Sequence, residues 1–202
     1  MIENNLIVEK KKRSYHSYRG LVGDVSPNIL CQNFDTFKPY QKAGTDITQF
    51  STKYGKLYLS PIIDFHTREI LAYDISEHPD MKQIFRMIDM LVRNHKGKYE
   101  GMILHSDQGY QYQLKSYQRR LKELGIIQSM SRKGNCLDNS PTENFFGRLK
   151  TEMYYDNEFE YNSLDELKDS IVNYIKYYNK ERIVNRLKSS PINYRKNNFN
   201  NI

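Results

Sequence analysis

Three carboxylates, set on elements of different kinds, are the residues of this 202-residue chain best placed to do chemistry. The apolar run Met102-Ile103-Leu104 reads as a buried strand that delivers Asp107 into a turn, with Gly109 close behind. Ser140-Pro141 opens a helix, because proline suits the first helical position, and Glu143 lies in its first turn. On that helix Phe145, Leu149 and Met153 recur every four residues as an apolar stripe, while Asn139, Glu143 and Lys150 project from the opposite side. Upstream, TDITQFST carries Asp46 on an alternating strand. Three anions converging without Lys or Arg neutralisation repel one another, and a bound cation is their usual justification. Oxygen-only ligation suits Mg²⁺ or Mn²⁺ better than Zn²⁺. Two such ions serve phosphodiester chemistry by activating the attacking oxygen and stabilising the leaving one.

The pattern alone is weakly selective, since the chain holds 24 Asp and Glu and other triads can be drawn. Asp64 and Asp74 are rival strand acids, for which local turn bonding or strand-end solvation is the simpler reading. His105 reads as a polar supporting or packing residue, not a base or ligand.

The elements that must position these acids follow from the hydrophobic pattern. Residues 1–40 read as a basic N-terminal arm or linker, with Lys10-Lys11-Lys12-Arg13 interleaved with Tyr15 and Tyr18; phosphate contact and a solvated tail are both open. Residues 41–180 form the core. The segments TDITQFST, KLYLSPIIDF and EILAYDIS make an antiparallel meander. A helix bearing Ile84, Met87, Ile88, Leu91 and Val92 crosses over to the Met102–Leu104 strand, which joins the sheet in parallel. A second amphipathic helix ends at Gly125, Ile126-Ile127 starts a fifth strand, and Ser163 with Glu166 forms a capping box for a long last helix. Residues 181–202 read as a basic C-terminal tail. The expected class is α/β: a ribonuclease-H-like mixed sheet of about five strands flanked by helices.

Bulk properties narrow the function classes. A net charge of +7 favours a polyanionic partner. No stretch has the apolar length of a membrane helix, and charges stand where a signal peptide needs its apolar region, which points to the cytoplasm. Cys31 and Cys136 lie far apart and read as reduced thiols. The absence of a glycine-rich phosphate loop after a strand counts against nucleotide binding.

TDIT at 45–48, HSDQGYQY at 105–112 and SMSRKGNCLDNSPTENFFGRLKTE at 129–152 resemble the catalytic core of bacterial insertion-sequence transposases of the OrfB type, a branch of the retroviral-integrase-like superfamily. The family signature is Asp, Asp, then 35 residues, then Glu, and Asp107 to Glu143 has that spacing. Residues 178–195, YNKERIVNRLKSSPINYR, and residues 13–40 also resemble the family, so the likeness covers nearly the whole chain. It implies that Asp46, Asp107 and Glu143 are the ligands of Mg²⁺ or Mn²⁺, with two ions expected. It also implies that Asn139 and Lys150 position DNA, and the Arg132-Lys133 loop is a candidate for holding a strand. The implied activity is water-driven nicking at the element's ends, followed by attack of the freed 3′-hydroxyl on another phosphodiester. The implied partners are double-stranded DNA at transposon ends and target, a homo-oligomer assembled on it, and a helix-turn-helix encoded in an upstream frame. The implied location is the bacterial cytoplasm, at the nucleoid. The chain departs from the family at Ala43-Gly44 and at Leu137, where Trp is usual, and no helix-turn-helix precedes its core. The alternative reading is a catalytically inactive, truncated DNA-binding or oligomerising remnant that regulates transposition; a stand-alone nuclease on the same fold is a third.

Overall fold

The computed structural model describes residues 23–132 and 139–199, and in it a six-stranded mixed sheet lies between two helical layers. The elements run β1 (Lys42–Thr45), β2 (Thr48–Thr52), β3 (Gly55–Asp64), β4 (Ile70–Ser76), α1 (Met81–Asn94), β5 (Ile103–Ser106), α2 (Tyr110–Gln113), α3 (Lys115–Glu123), β6 (Ile127–Met130), α4 (Ser140–Met153), α5 (Leu164–Lys180) and α6 (Pro191–Asn198).

β3 is the long strand on which the others are registered. β4 pairs with it antiparallel along Tyr58–Ile63, which occupies one of its edges. Its other edge takes β2 against residues 55–59 and β1 against residues 62–64, both antiparallel. β1 and β2 therefore fill one strand position in succession, interrupted at Asp46-Ile47. The continuous strand expected through Asp46 is thus two strands, which is why six are found where about five were expected. Breaking there releases Asp46 from the pleat, so the acid leaves a strand end instead of alternating along a strand.

Beyond β1 the sheet turns parallel. β5 lies beside β1, with Gly44 opposite His105, and β6 lies beside β5, with His105 opposite Ser129. Both faces of the sheet are covered, and successive residues divide between them as the pleat requires. Ile62 and Leu71 face α1 and α3, where Ile84, Met87, Ile88, Leu91 and Leu121 are buried. Ile63 and Ile70 face α4 and α5, where Phe145, Leu149, Leu167, Ile171 and Ile175 are buried. Each such aliphatic side chain contributes about 1.5–3 kcal/mol by leaving water. α1 starts where Asp80 accepts from the Gln83 N–H at 2.9 Å. α5 starts where Ser163 Oγ accepts from the Glu166 N–H at 3.1 Å; the Glu166 carboxylate reaches back to the Asn162 N–H at 2.7 Å, one residue upstream of the usual capping-box partner.

Both flanking segments are docked where they are described. Leu30 is buried, and the N–H groups of Ile29 and Leu30 donate to Ser129 Oγ at 3.0 and 3.1 Å. At the other end, α6 is held by Arg195, whose Nε lies 2.6 Å from the buried Glu69 carboxylate. The basic run at residues 10–13 lies outside the described residues.

Candidate active site

The site begins with the β1–β5 register. Asp46 and Asp107 each stand two residues beyond the Gly44–His105 pair, so parallel pairing places them side by side at the carboxyl ends of adjacent strands. Asp46 Oδ1 accepts from the Ile47 N–H at 2.7 Å, and Asp107 Oδ1 accepts from the Gly109 N–H at 2.8 Å. Among the described residues no donor meets Oδ2 of either acid. Both line a cleft of about 240 Å³ with Gln49, Tyr58, Gln111 and Tyr112.

Electrostatics mark the pair. Burial pushes the Asp46 carboxyl well above its ordinary range, and the Asp107 charge pushes it further; Glu143 adds to the repulsion, against the Ile47 N–H and the Lys150 charge. Asp107 is raised by burial against the Gly109 N–H, and Glu143 is raised by burial. Each acid resists ionisation in this arrangement, and a cation would remove that cost.

Glu143 arrives by a different route. The N-terminus of α4 is clamped to the end of β1: Asn139 Nδ2 donates to the Thr45 carbonyl at 3.3 Å, and Thr142 Oγ1 donates to Asn139 Oδ1 at 2.8 Å. Thr142 sits over Gly44, where an added Cβ would lie 2.7 Å from the Phe65 ring and closer still to Thr142 Oγ1, so glycine permits the approach. Glu143 itself is exposed. The structure thus brings Asp46 and Asp107 together and sets Glu143 where its charge acts on Asp46. Among the described residues no three His, Cys, Asp or Glu side chains gather closely enough to enclose an ion.

The other expected residues fall as follows. Asn139 is buried, its side chain committed to the β1–α4 clamp. Lys150 is half-buried with its ammonium 5.4 Å from the Phe50 ring centre. Arg132 is exposed, at the edge of the segment that leads to α4, and Lys133 lies outside the described residues, as does Cys136. His105 is fully buried and its Nδ1 meets Ser129 Oγ at 2.9 Å, the same hydroxyl that holds residues 29–30. Asp64 closes the β3–β4 turn, accepting from the N–H groups of Tyr40, His66 and Thr67 at 2.7–3.0 Å and from Thr67 Oγ1 at 2.9 Å. Asp74 pairs with Arg86 at 2.8 Å.

Comparison with known proteins bears on what this site belongs to. An integrase core domain family matches residues 37–136, and a second integrase core model matches residues 143–199. A transposase-like protein of Haemophilus influenzae is 51% identical over 191 residues, covering 94% of this chain and 87% of that protein. The chain belongs to the insertion-sequence transposase family. InsK of Escherichia coli K12, named as the transposase of insertion sequence element IS150, is 48% identical over 186 residues. That match covers 92% of this chain but 65% of InsK, so the chain spans about two thirds of that relative. The magnesium-bound catalytic core domain of human T-lymphotropic virus 2 integrase superposes with a TM-score of 0.61 at 13% identity, covering 79% of this chain and 99% of that one. The transposase-family chain therefore has the integrase-core, ribonuclease-H-like fold. Among its described residues no helix is long and apolar enough to cross a membrane.

What residue-by-residue reading of this transposase-family sequence missed is the bracing of the Asp107 loop. Gln108 donates to the Ser131 carbonyl at 3.0 Å, Gln111 to the Pro79 carbonyl at 2.7 Å, and Gln113 to the Gln108 carbonyl. The signal was present: three glutamines in six residues, beside an acid, are too polar for a helix face that packs on a core.

Proposed function

We propose that this chain is the catalytic core of a DNA transposase that cleaves phosphodiester bonds at insertion-sequence ends and transfers the freed strand. The observation that carries the reading is the parallel register that sets Asp46 and Asp107 side by side at strand ends, with α4 clamped to the same strand and carrying Glu143. The donor set suits a hard divalent cation: carboxylates only, raised by burial and, at Asp46, by the Asp107 charge, with no Lys or Arg ion pair to either aspartate among the described residues. Mg²⁺ commonly takes one or two protein carboxylates and completes its shell with water and substrate phosphate, so the two aspartates fit it without a closed cage. Asp46 and Asp107 would hold the metal, with Glu143 as the third ligand and two ions expected. When bound, the ions supply activation of the attacking oxygen and stabilisation of the leaving one.

The chain's own residues do the positioning. The Ile47 and Gly109 N–H groups fix one oxygen of each aspartate. Gln108 and Gln111 hold the Asp107 loop to β6 and to the start of α1. Asn139 and Thr142 set the depth of the α4 N-terminus, and Lys150 adds positive charge near Asp46 and the DNA. Exposed Arg132 would contact DNA phosphate, and Lys133, which lies outside the described residues, would share that role. The partners in this reading are double-stranded DNA, further copies of the chain on paired ends, and a helix-turn-helix supplied from an upstream frame.

The test is a disintegration assay on a branched DNA that mimics a joined end, run with Mn²⁺ or Mg²⁺, comparing wild type with Glu143→Gln. Metal-dependent resolution by wild type and a loss of at least about 100-fold in the variant are expected, on the scale of other removals of a transition-state group. A folded wild type that binds DNA without resolving the branch would favour the inactive remnant instead, and hydrolysis without joining would favour a nuclease.

A further inference from the structure

The cleft that holds the two aspartates has a second wall, and its chemistry differs from theirs. Gln49 of β2 stands directly opposite Tyr58 of β3. The next pair, Phe50 and Leu57, is buried in the layer of α4 and α5, so the pleat turns Gln49 and Tyr58 to the other face of the sheet. On that face Ser60, two residues along β3, meets Met87 of α1 at 3.1 Å. The first turn of α1 also reaches the pair itself, because Gln83 Nε2 donates to the Tyr58 carbonyl at 2.6 Å. Gln111 of α2 comes to the same end of α1 and donates to the Pro79 carbonyl at 2.7 Å. Gln49 is steadied from its own strand, its Nε2 donating to Ser51 Oγ at 2.8 Å. All three residues line one cleft with Asp46 and Asp107. Gln49 is exposed, and Tyr58 and Gln111 are half-buried, so each remains open to a ligand.

Among the described residues that line this cleft, Asp46 and Asp107 alone carry charge, and no Lys or Arg stands beside them. A phosphate seated on the second wall would meet no cation from the lining and would face two acids. Amides and an aromatic ring are instead the groups that receive a nucleobase. A glutamine that spends one N–H on a neighbour still offers its carbonyl oxygen and its second N–H, an adjacent acceptor and donor that match the edge of a base. A tyrosine ring offers a face on which any base can stack. The cleft volume of about 240 Å³ lies below the range of drug-sized sites, about 300 Å³ upward, which suits one base and not a base pair.

We infer that Gln49, Tyr58 and Gln111 form a pocket for one unpaired nucleobase, next to the phosphate that the acids engage. The pocket rests on the reading of the chain as a DNA-acting core and adds to it how the strand is seated at the reacting bond. Phosphate contacts position a strand, whereas contacts to a base edge carry sequence information. These three residues therefore give the site a sequence preference beside the reacting phosphate, and they require that nucleotide to leave its pair. DNA whose base is already free there, at a frayed end or an overhang, binds more readily than intact duplex, because the cost of unpairing is absent. Gln111 also braces the Asp107 loop, so Gln49 and Tyr58 are the residues that separate base binding from placement of the acid.

The experiment uses the full chain, with Ca²⁺ in place of Mg²⁺ so that binding is read without turnover. Fluorescent duplexes that end in a short single-stranded overhang, of either polarity, are compared by anisotropy with the same duplexes whose overhang is abasic. Wild type is expected to bind the overhang with bases about 10-fold more tightly than the abasic one, on the scale of one base stacked on an aromatic side chain. Gln49→Ala and Tyr58→Leu should each shrink that preference severalfold while leaving affinity for the abasic duplex unchanged, and Tyr58→Phe should keep it. In parallel, 5-iodouracil placed in the overhang and irradiated on wild type should crosslink to Tyr58, read by mass spectrometry. This readout needs no variant to fold, and Gln49→Ala changes only an exposed side chain. Equal affinity for the two overhangs, an unchanged preference in the folded variants, or crosslinks confined to other parts of the chain would overturn the pocket while leaving the functional reading in place. A folded wild type that binds none of these duplexes and resolves no branched DNA would overturn both.

Discussion

Asp46 and Asp107 each spend one oxygen on a backbone N–H and carry their charge in a largely buried cleft. Their cost and their use have the same origin. Asp107 is raised in the folded protein, so its contribution to stability is full below the unfolded carboxyl value and lost as pH rises through the folded one; at neutral pH, without metal, the ionised acid opposes folding. Asp107→Asn keeps an acceptor for the Gly109 N–H and removes the charge. It should therefore unfold harder than wild type in chelator, because the raised carboxyl marks a charge that the fold disfavours. Mg²⁺ should raise the thermal midpoint of wild type and leave that of the variant unchanged, because only a state that binds the ion is stabilised by it. Thermal melts in chelator and in Mg²⁺ check both; a variant less stable than wild type in chelator would mean that the acid is held by bonds stronger than its desolvation cost.

The β1–α4 contact is where placement of the third acid is decided. β1 contributes Gly44, whose missing Cβ lets Thr142 and the Phe65 ring close over it, and α4 contributes Asn139, whose amide reaches the Thr45 carbonyl. Gly44→Ala forces a methyl group into that contact. The expected cost is about 1–3 kcal/mol in urea unfolding, as for overpacked cores. Because α4 would have to move outward, the loss in branched-DNA resolution should exceed the loss in DNA binding. A variant with wild-type stability and activity would show that α4 is not seated by this contact. A second element junction is sensitive to pH. His95, which caps α1, presents Nε2 to the Leu71 carbonyl at 2.9 Å and Nδ1 to the Tyr40 hydroxyl at 2.9 Å, so the neutral ring with its proton on Nε2 satisfies both. Burial lowers its pKa below the ordinary 6.5. Its contribution is therefore full above the unfolded value and lost as pH falls through the folded one. Wild type should lose stability on acidification below about pH 6.5, and His95→Gln should flatten that slope in unfolding midpoints measured between pH 5 and 8.

Across the molecule, one sheet carries two independent apolar layers, and the functional groups occupy the seams between them. The acids leave the carboxyl ends of β1 and β5, whereas the Asn179–Ile70 pair ties the end of α5 to the start of β4. The segments on either side of the core share in this arrangement. Ser129 receives both His105 and the backbone of residues 29–30, and Glu69 of β4's leading turn receives Arg195 of α6. Ile29, Leu30 and Arg195 are thereby tied to the sheet and its leading turn.

Much of the chain could be read without coordinates because local chemistry and global packing agree there. The buried faces of α1 and α5 follow a 3.6-residue period, Asp80 and Ser163 cap the helices they precede, and the acids with their 35-residue spacing stand in segments that resemble a known catalytic core. The sequence could not show that the strand through Asp46 is interrupted, because alternation continues across the break and only the two partners along one edge of β3 reveal it. Nor could it show that Asn139, on the polar side of α4 by helical angle, turns inward to hold Thr45, since a helix's first turn takes its partners from whatever strand lies beneath it. Residue type and spacing determined which groups this protein carries. Tertiary structure decided which of them meet, because parallel pairing and helix docking join residues far apart in the chain through contacts that no local pattern encodes.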